Sequence, residues 1–406
     1  MVFALGVVLF ALGIAVSIAL HEAGHMWTAQ ATGMKVRRYF IGFGPKIFSY
    51  RRGETEYGLK ALPLGGFCDI AGMTAIDELA PDEEDRAMYK KATWKRLVVM
   101  SGGIAMNLAL GLVLIYGLAV AWGLPNLNPP TTAVVGSTAC VPAAQGPAPD
   151  YALTPCSGSG PADEAGIRAG DTIVAVGGTE TANFSEVAEE TRKLSGPHDF
   201  TVERDGERLT VTVPVQPVER WVQEDADAEP HLETVGAIGV VAPPGVVEHS
   251  ALTAVPATFG FAGDMFTLTV ERLIEMPAKA VDLWHAVTGG ERDPETPVSV
   301  YGASVLGGEI AERGIWEAFV LLLASLNFFL AIFNLLPLLP LDGGHMAVTL
   351  YEHVRNWLRK LRGLPKGAPV DYMKLLPVTY VFIVIGGAYM LLTLTADIVN
   401  PIQLFQ

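Results

Sequence analysis

The chain has 406 residues, half of them hydrophobic and 17% charged, with 28 basic residues against 43 acidic for a formal net charge of -15. So acidic a balance excludes nucleic acid as an expected partner. The low charge and the gathering of apolar residues into four blocks exclude a chain built around a single soluble core. Met1 to Leu20, Leu97 to Gly123, Ala318 to Leu341 and Leu375 to Ala396 contain no Asp, Glu, Lys or Arg. Each reaches the roughly 20 residues needed to cross a bilayer core. The first has no basic residue ahead of its apolar run and continues straight into a histidine motif, so it is read as a retained span and not a cleaved leader.

That motif is His21-Glu22-Ala23-Gly24-His25. Two histidines four apart share one face of a helix and can each turn a ring nitrogen toward one zinc ion, with Glu22 beside the water that completes the shell. Zinc acidifies such a water, and Glu22 accepts its proton. The alternative is a pair of packing histidines beside a solvated glutamate. Against it, ionisable groups inside apolar segments are costly and usually functional.

From Lys46 to Leu62 the chain reads KIFSYRRGETEYGLKAL. Two short runs of aromatic and branched residues around a turn at Arg52-Gly53 predict a hairpin. Beside a metal site its edge, with Tyr57 and Leu59 on it, can accept an extended substrate strand by backbone pairing. A hairpin that only caps the bundle fits the same residues. Pro63-Leu64-Gly65-Gly66-Phe67 follows it. In the second span, Ser101-Gly102-Gly103 and Asn107 read as a close-packing face.

The long connection from Leu124 to Trp316 carries 10 basic against 28 acidic residues. Pro161 to Val215 predicts a helix-to-strand corner at Ala165-Gly166-Ile167 and Ala169-Gly170-Asp171. A helix around Ser185 to Leu194 follows, then a strand, a turn at Asp205-Gly206 and a second strand. This resembles one bacterial PDZ domain, with an opening strand near Thr132 to Gly136. Such a domain can bind a peptide or a carboxyl terminus by strand addition, or act as a steric filter against substrates with bulky outer domains. Between Gly136 and Gly160 a loop rich in Pro, Ala, Gly and Ser holds Cys140 and Cys156, which can pair in an oxidising compartment, whereas Cys68 is expected as a free thiol. Glu219 to Gly245 is expected to be an acidic connection. Phe259 to Val287 has apolar residues at helical spacing, which predicts an amphipathic helix on the outer membrane surface that gates entry or tethers the outer module.

The third span ends in NLLPLLPLDGGH, Asn334 to His345. Two prolines three apart break the helix, and paired glycines let the backbone approach a neighbour. Non-helical backbone at that depth survives only where protein or a wet cavity satisfies it. Basic residues place loops on the cytoplasmic side. Met26 to Arg96 holds 12 basic and 9 acidic residues, and His345 to Lys374 holds 6 and 2. The acidic connection and both termini are therefore expected outside. Spans one and three then run the same way, which brings Asp342 to about the depth of His21 and His25. As a third ligand, Asp342 leaves a fourth position open, the pattern of catalytic zinc; as a structural residue it caps the helix that follows. His345 suits an outer-shell or interfacial role. Asn327 and Asn334, seven apart on one helix face, can contact a substrate helix or simply bond neighbouring helices.

The combination of HEAGH in a first span with NLLPLLPLDGGH in a third resembles the site-2 protease family of intramembrane zinc metalloproteases. It resembles in particular the bacterial branch that regulates sigma factors, and is close to actinobacterial and mycobacterial members. The resemblance spans nearly the whole chain, although the family's usual Gly-Pro pair near Gly103 is absent. It implies zinc bound by His21, His25 and Asp342, with Glu22 as general base. It further implies substrate contacts at Asn334 and along the hairpin and the turn that holds Gly65 and Gly66. Cleavage falls within a membrane-spanning helix of a single-pass substrate, such as an anti-sigma factor already trimmed outside.

The expected fold is membrane α-helical: four transmembrane helices, a membrane-associated β-hairpin loop and one extracytoplasmic PDZ-like α+β domain, in the plasma membrane with the active site toward the cytoplasm. The plan is a first span with the motif (1–32), a cytoplasmic-side hairpin or re-entrant loop (33–95), a second span (96–123) and the PDZ-like domain (124–220). An acidic linker with an amphipathic segment (221–316), a third span with Leu-Asp-Gly (317–346), a cytoplasmic loop (347–374) and a fourth span (375–398) complete it. A catalytically silent, membrane-anchored PDZ binding protein has the same domain plan, and only filled chemical positions separate the two.

Overall fold

The computed structural model describes residues 1–127, 130–146, 153–222, 231–243 and 245–402, leaving aside the side chains of 63 and 64. It divides into two compact units, Met1–Leu124 with Glu248–Gln406, and Pro125–Val247.

Helix α1 runs over Val2–Ala31. Its 30 residues reach about 45 Å, longer than the apolar layer of a bilayer. Two long strands follow, β1 (Val36–Arg52) and β2 (Thr55–Ile70). The hairpin read from Lys46 to Leu62 is the tip of something larger. β1 bends where Gly42 and Gly44 take φ of 88° and 81°, and β2 bends near Gly65 at 144°, so each strand folds back. Residues 38–41 consequently pair with 66–69 on one side and with 56–59 on the other, while 46–52 pair with 55–60. The spatial order is 66–70, 36–41, 55–60, 46–52. The Tyr39 hydroxyl donates to the Ala19 carbonyl at 2.7 Å and fastens the sheet to α1.

The stretch 71–91 is held on β1 by Arg37, whose guanidinium donates to Glu83 at 2.6 to 3.1 Å. That hydrogen bond, against a smaller opposing effect of burial, holds the Glu83 carboxyl at about 2 instead of 4.5. A depressed folded value means that the stabilisation is complete above pH 4.5 and is lost as pH falls toward 2. Amide protection factors in 71–91, taken relative to the intrinsic exchange rate at each pH, are expected to be flat above that window and to fall through it. Protection unchanged across the window would show that the pair holds nothing. Helix α2 (Thr93–Ala121) ends this part of the unit.

In the second unit, helix α3 (Pro161–Glu164) leads into an antiparallel sheet of five strands, in the order Thr179–Glu180, Thr172–Val176, Gly196–Arg204, Glu207–Val222, His231–Ala237. Helix α4 (Phe184–Arg192) covers it, capped by Asn183, which accepts from the Glu186 N–H. Ile167, Ile173, Val187, Phe200 and Val202 form its buried core, each contributing roughly 1.5–3 kcal/mol. Asp205 and Gly206 adopt φ of 53° and 82°, as a two-residue hairpin turn requires. Where the opening strand is expected, near Thr132 to Gly136, Val134 makes an isolated antiparallel bridge to Thr172 and no strand forms among these described residues. Cys140 and Cys156 are joined in a disulfide, and Cys68 is free. The expected acidic connection, Glu219 to Gly245, lies at 223–230 and 244 outside the described residues. Its remainder is not a linker: His231–Ala237 pairs with 216–222, because Val235 has Val218 and Val141 to pack against.

Helix α5 (Ala254–Val287) begins the return to the first unit. It packs along α2 and on the third and fourth spans, a closer association than a tether on the surface. Helix α6 (Val300–Glu312), in the stretch expected to be a linker, lies against α1. Gly307, Gly308 and Ala311 face Gly6 so closely that a Cβ at Gly6 would fall 2.5 Å from Ala311 Cβ. Small residues let helices approach in this way. Helix α7 (Trp316–Asn334) stops ahead of Pro337 and Pro340, and α8 (Asp342–Leu361) starts directly after them, occupying much of the stretch read as a loop. Helix α9 (Leu376–Val399) is tied by Asp397, which accepts from Arg292 at 2.7 Å and from the Ser299 N–H at 2.6 Å. Helices α1, α2, α7 and α9 are long and apolar enough to cross a membrane.

Candidate metal centre

Three donor atoms converge where α1, α2 and the start of α8 meet. His21 Nε2 lies 3.1 Å and His25 Nε2 3.2 Å from Asp342 Oδ2, and the two nitrogens are 3.2 Å apart. Zinc ligands at about 2.0–2.2 Å in tetrahedral array stand roughly 3.3–3.6 Å from one another, so the triangle is the right size within a few tenths of an ångström. Its chemistry fits as well. His25 Nδ1 donates to the Val99 carbonyl at 2.8 Å, which leaves a lone pair on Nε2 of the neutral ring. That lone pair faces a carboxylate oxygen that is buried and has no hydrogen bond. Acceptors that converge without a hydrogen between them call for a cation, and His21, His25 and Asp342 are the His/Cys/Asp/Glu group among the described residues that can hold one.

Asp342 reaches the rings because α8 begins with it, directly after the N-cap residue Leu341. The capping role is thereby corrected: Asp342 is not the N-cap of α8, and its Oδ2 lies 3.1 and 3.2 Å from the ring nitrogens of α1. Gly343 and Gly344 lie against the carbonyls of Leu335, Leu336 and Leu338, so the chain after the prolines folds tightly back on itself. A buried pair, Arg96 with Glu352 at 2.6 Å, joins α2 to α8, and the Glu352 carboxylate also accepts from the Val370 N–H.

Glu22 points toward the β-sheet. A Cβ on Gly66 would sit 3.1 Å from Glu22 Cγ, and the Cys68 backbone N–H faces its carboxylate. The segment beside the site is therefore 66–70, an outer segment of its sheet. Tyr57 and Leu59 are corrected as strand-accepting positions: Tyr57 pairs with both Tyr39 and Tyr50, and Leu59 with both Ile41 and Phe48, so neither has a free backbone edge. Gly65 lies against the Phe43 ring. Asn327 is wholly buried and donates to Ser17 Oγ at 3.0 Å and to the Leu323 carbonyl at 2.8 Å. It bonds α7 to α1 and is not on a surface open to substrate. Asn334, at the end of α7, donates to its own Leu330 carbonyl at 3.0 Å. His345 stacks on Tyr372, with Nδ1 3.2 Å from the hydroxyl, outside the ligand triangle.

The close-packing face of α2 meets both α1 and the ligand histidines. Gly24 of α1 and Gly102 of α2 meet backbone to backbone, and a Cβ on either would strike the other's carbonyl. Gly103 lies directly on the histidines: its Cβ would come 2.7 Å from His21 Nε2 and closer still to His25 Nε2. The signal was the glycine pair itself, but only the helix pairing shows which residues it faces.

Comparison with known proteins agrees with this geometry. The model of peptidase family M50 matches residues 9–376. The zinc metalloprotease Rip1 of Mycobacterium bovis is 55% identical over 409 residues, covering 100% of both chains. The protein of that name in Mycolicibacterium smegmatis is 54% identical over 415 residues, again covering 100% of both. More distantly, the chloroplastic membrane metalloprotease ARASP of Arabidopsis thaliana is 27% identical over 84% of this chain and 69% of its own. With the family model covering most of its length and full-length relatives above half identity, the chain belongs to peptidase family M50.

Proposed function

We propose that the chain is an intramembrane zinc metalloendopeptidase that hydrolyses a peptide bond inside a membrane-spanning segment of its substrate. The observation that carries this reading is the convergence of His21, His25 and Asp342 at mutual distances of 3.1 to 3.2 Å, with Glu22 next to His21 in sequence. His21 and His25 hold the metal through Nε2, and Asp342 through Oδ2. Zinc bound there supplies Lewis acidity toward water and the scissile carbonyl. The Glu22 carboxylate takes the proton of the attacking water and returns it to the departing amide nitrogen. The Val99 carbonyl fixes the His25 ring through Nδ1, the kind of outer contact that sets a ligand's tautomer.

A peptide bond within a helix has to leave it before it can be attacked. The 66–70 segment, beside Glu22, is the edge on which an unwound strand pairs, with Gly65 and Gly66 at its start and Asn334 as a further contact. The charge pattern favours an acidic 125–247 unit and both termini outside the plasma membrane, with the metal toward the cytoplasm. That unit is read as PDZ-like. Its groove of about 240 Å³, between α4 and 236–240 and lined by Phe184, Val187, Thr191 and Ile238, suits an extended peptide or a carboxyl terminus. Single-pass membrane proteins such as pre-cleaved anti-sigma factors are the proposed substrates.

Quantitative membrane proteomics tests the reading in cells carrying either the wild-type chain or the His21→Ala/His25→Ala variant. Short membrane-embedded stubs lacking an outer domain are expected to accumulate only with the variant. Identical stub populations would overturn the peptidase assignment and leave the silent binding protein.

A further inference from the structure

We infer that α8 is a membrane-surface helix whose exposed face docks on an anionic lipid leaflet. The inference draws on the membrane spans and not on the peptidase chemistry. At 3.6 residues per turn, Leu350, Tyr351, Val354, Trp357, Leu358 and Leu361 fall within one arc about 120° wide. All six are exposed, Trp357 to 56% and Leu361 to 67%. A contiguous apolar arc with two aromatic side chains is costly to leave in water and marks an interaction face.

Depth and charge say what covers it. The opposite face of α8 is bound to the first turns of the second span: Glu352 pairs with Arg96 at 2.6 Å, and His353 Nδ1 lies 3.3 Å from Thr93 Oγ1. The apolar run of that span starts at Leu97, so this part of α8 runs at the level where the chain leaves the apolar layer. Trp94, one residue from Thr93, is 60% exposed, as an interfacial aromatic would be. Around the arc stand Arg355 and Arg362 on one border and Lys360 on the other, with Lys366 just beyond the helix end. No ion pair among the described residues engages any of the four. Arg355 donates to the Ala368 carbonyl, which bends the following loop back and keeps this basic group beside the arc. The two acidic residues of 345–374 are already used, Glu352 by Arg96 and Asp371 by the Met373 N–H. An apolar stripe bordered by cations that no carboxylate pairs fits acyl chains below and phosphate groups above.

The test uses the full chain with Cys68→Ala and Leu361→Cys, which leaves one free thiol because Cys140 and Cys156 are joined. An environment-sensitive fluorophore is attached at 361, and the protein is reconstituted in phosphatidylcholine vesicles or in an equimolar mixture with phosphatidylglycerol. In the mixture the emission is expected to shift to the blue and to be quenched by lipids brominated near the headgroup. Neutralising Lys360, Arg362 and Lys366 to glutamine is expected to reverse the shift, each charge lowering the docked-to-free ratio about fivefold at low salt. A water-like emission in both vesicles would overturn the proposal. So would a blue shift that ignores both lipid charge and the triple substitution. Disulfide crosslinking between copies of the unlabelled Leu361→Cys protein, with emission of the labelled protein independent of lipid, would also overturn it and assign the face to a second copy of the chain.

Discussion

Gly103→Ala is expected to empty the metal centre while leaving the helices formed. The added methyl would lie 2.7 Å from His21 Nε2 and nearer to His25 Nε2, on the atoms that converge with Asp342. The His25 ring, the nearer of the two, cannot give way freely. His25 is fixed by the Val99 carbonyl at 2.8 Å, and withdrawal of α2 would break the Gly24–Gly102 contact that sets the spacing of the two helices. Metal per chain, measured by elemental mass spectrometry on purified protein, should fall from near one toward zero, with helix content unchanged by circular dichroism. Gly117→Ala is the control in the same helix, since a Cβ there meets nothing within 4 Å. It should keep its metal and be neutral or stabilising by about 0.5–1 kcal/mol. A Gly103→Ala protein with full metal and wild-type turnover would mean that the helices are spaced otherwise than described.

Glu22→Gln separates proton transfer from metal binding. The substitution keeps the shape of a side chain that lies outside the ligand triangle, so metal content should be unchanged. It removes the acceptor for the water proton, and turnover of a membrane-embedded substrate should drop by about 100- to 10,000-fold. Asp342→Asn gives the complementary pattern: replacing the one anionic donor of three should lower metal retention and turnover together. Both are read by paired metal analysis and cleavage of a reconstituted substrate. Equal cleavage by wild type and Glu22→Gln would remove Glu22 from the mechanism.

The parts legible in the sequence are those written in local pattern. Charge-free runs of some 20 residues identify α1, α2, α7 and α9, because transfer of charge into an apolar layer is costly whatever the neighbours. The spacing of His21 and His25 needs only the helical period. The meeting of Asp342 with them followed from counting residues along spans that run the same way, an argument about depth that holds before any contact is known.

Contacts between distant segments decided the rest. Gly103 bears on the histidines only because Gly24 and Gly102 allow α1 and α2 to touch. The outer segment of the β-sheet that faces Glu22 is 66–70 and not the hairpin tip, because both strands bend at glycines and fold back, which places Tyr57 and Leu59 inside the sheet. Asn327, one of two asparagines with the same local appearance, is taken up by Ser17 of α1. The small residues of helix α6 carry no strong apolar period, and their burial comes from distant segments, with Gly307 against Phe10, Gly308 against Phe3 and Val7, and Gly302 against Asp397. Local sequence sets which residues can form a span or offer a ligand atom. Which backbone lies against which side chain is a property of pairs far apart in the chain, and only their packing settles it.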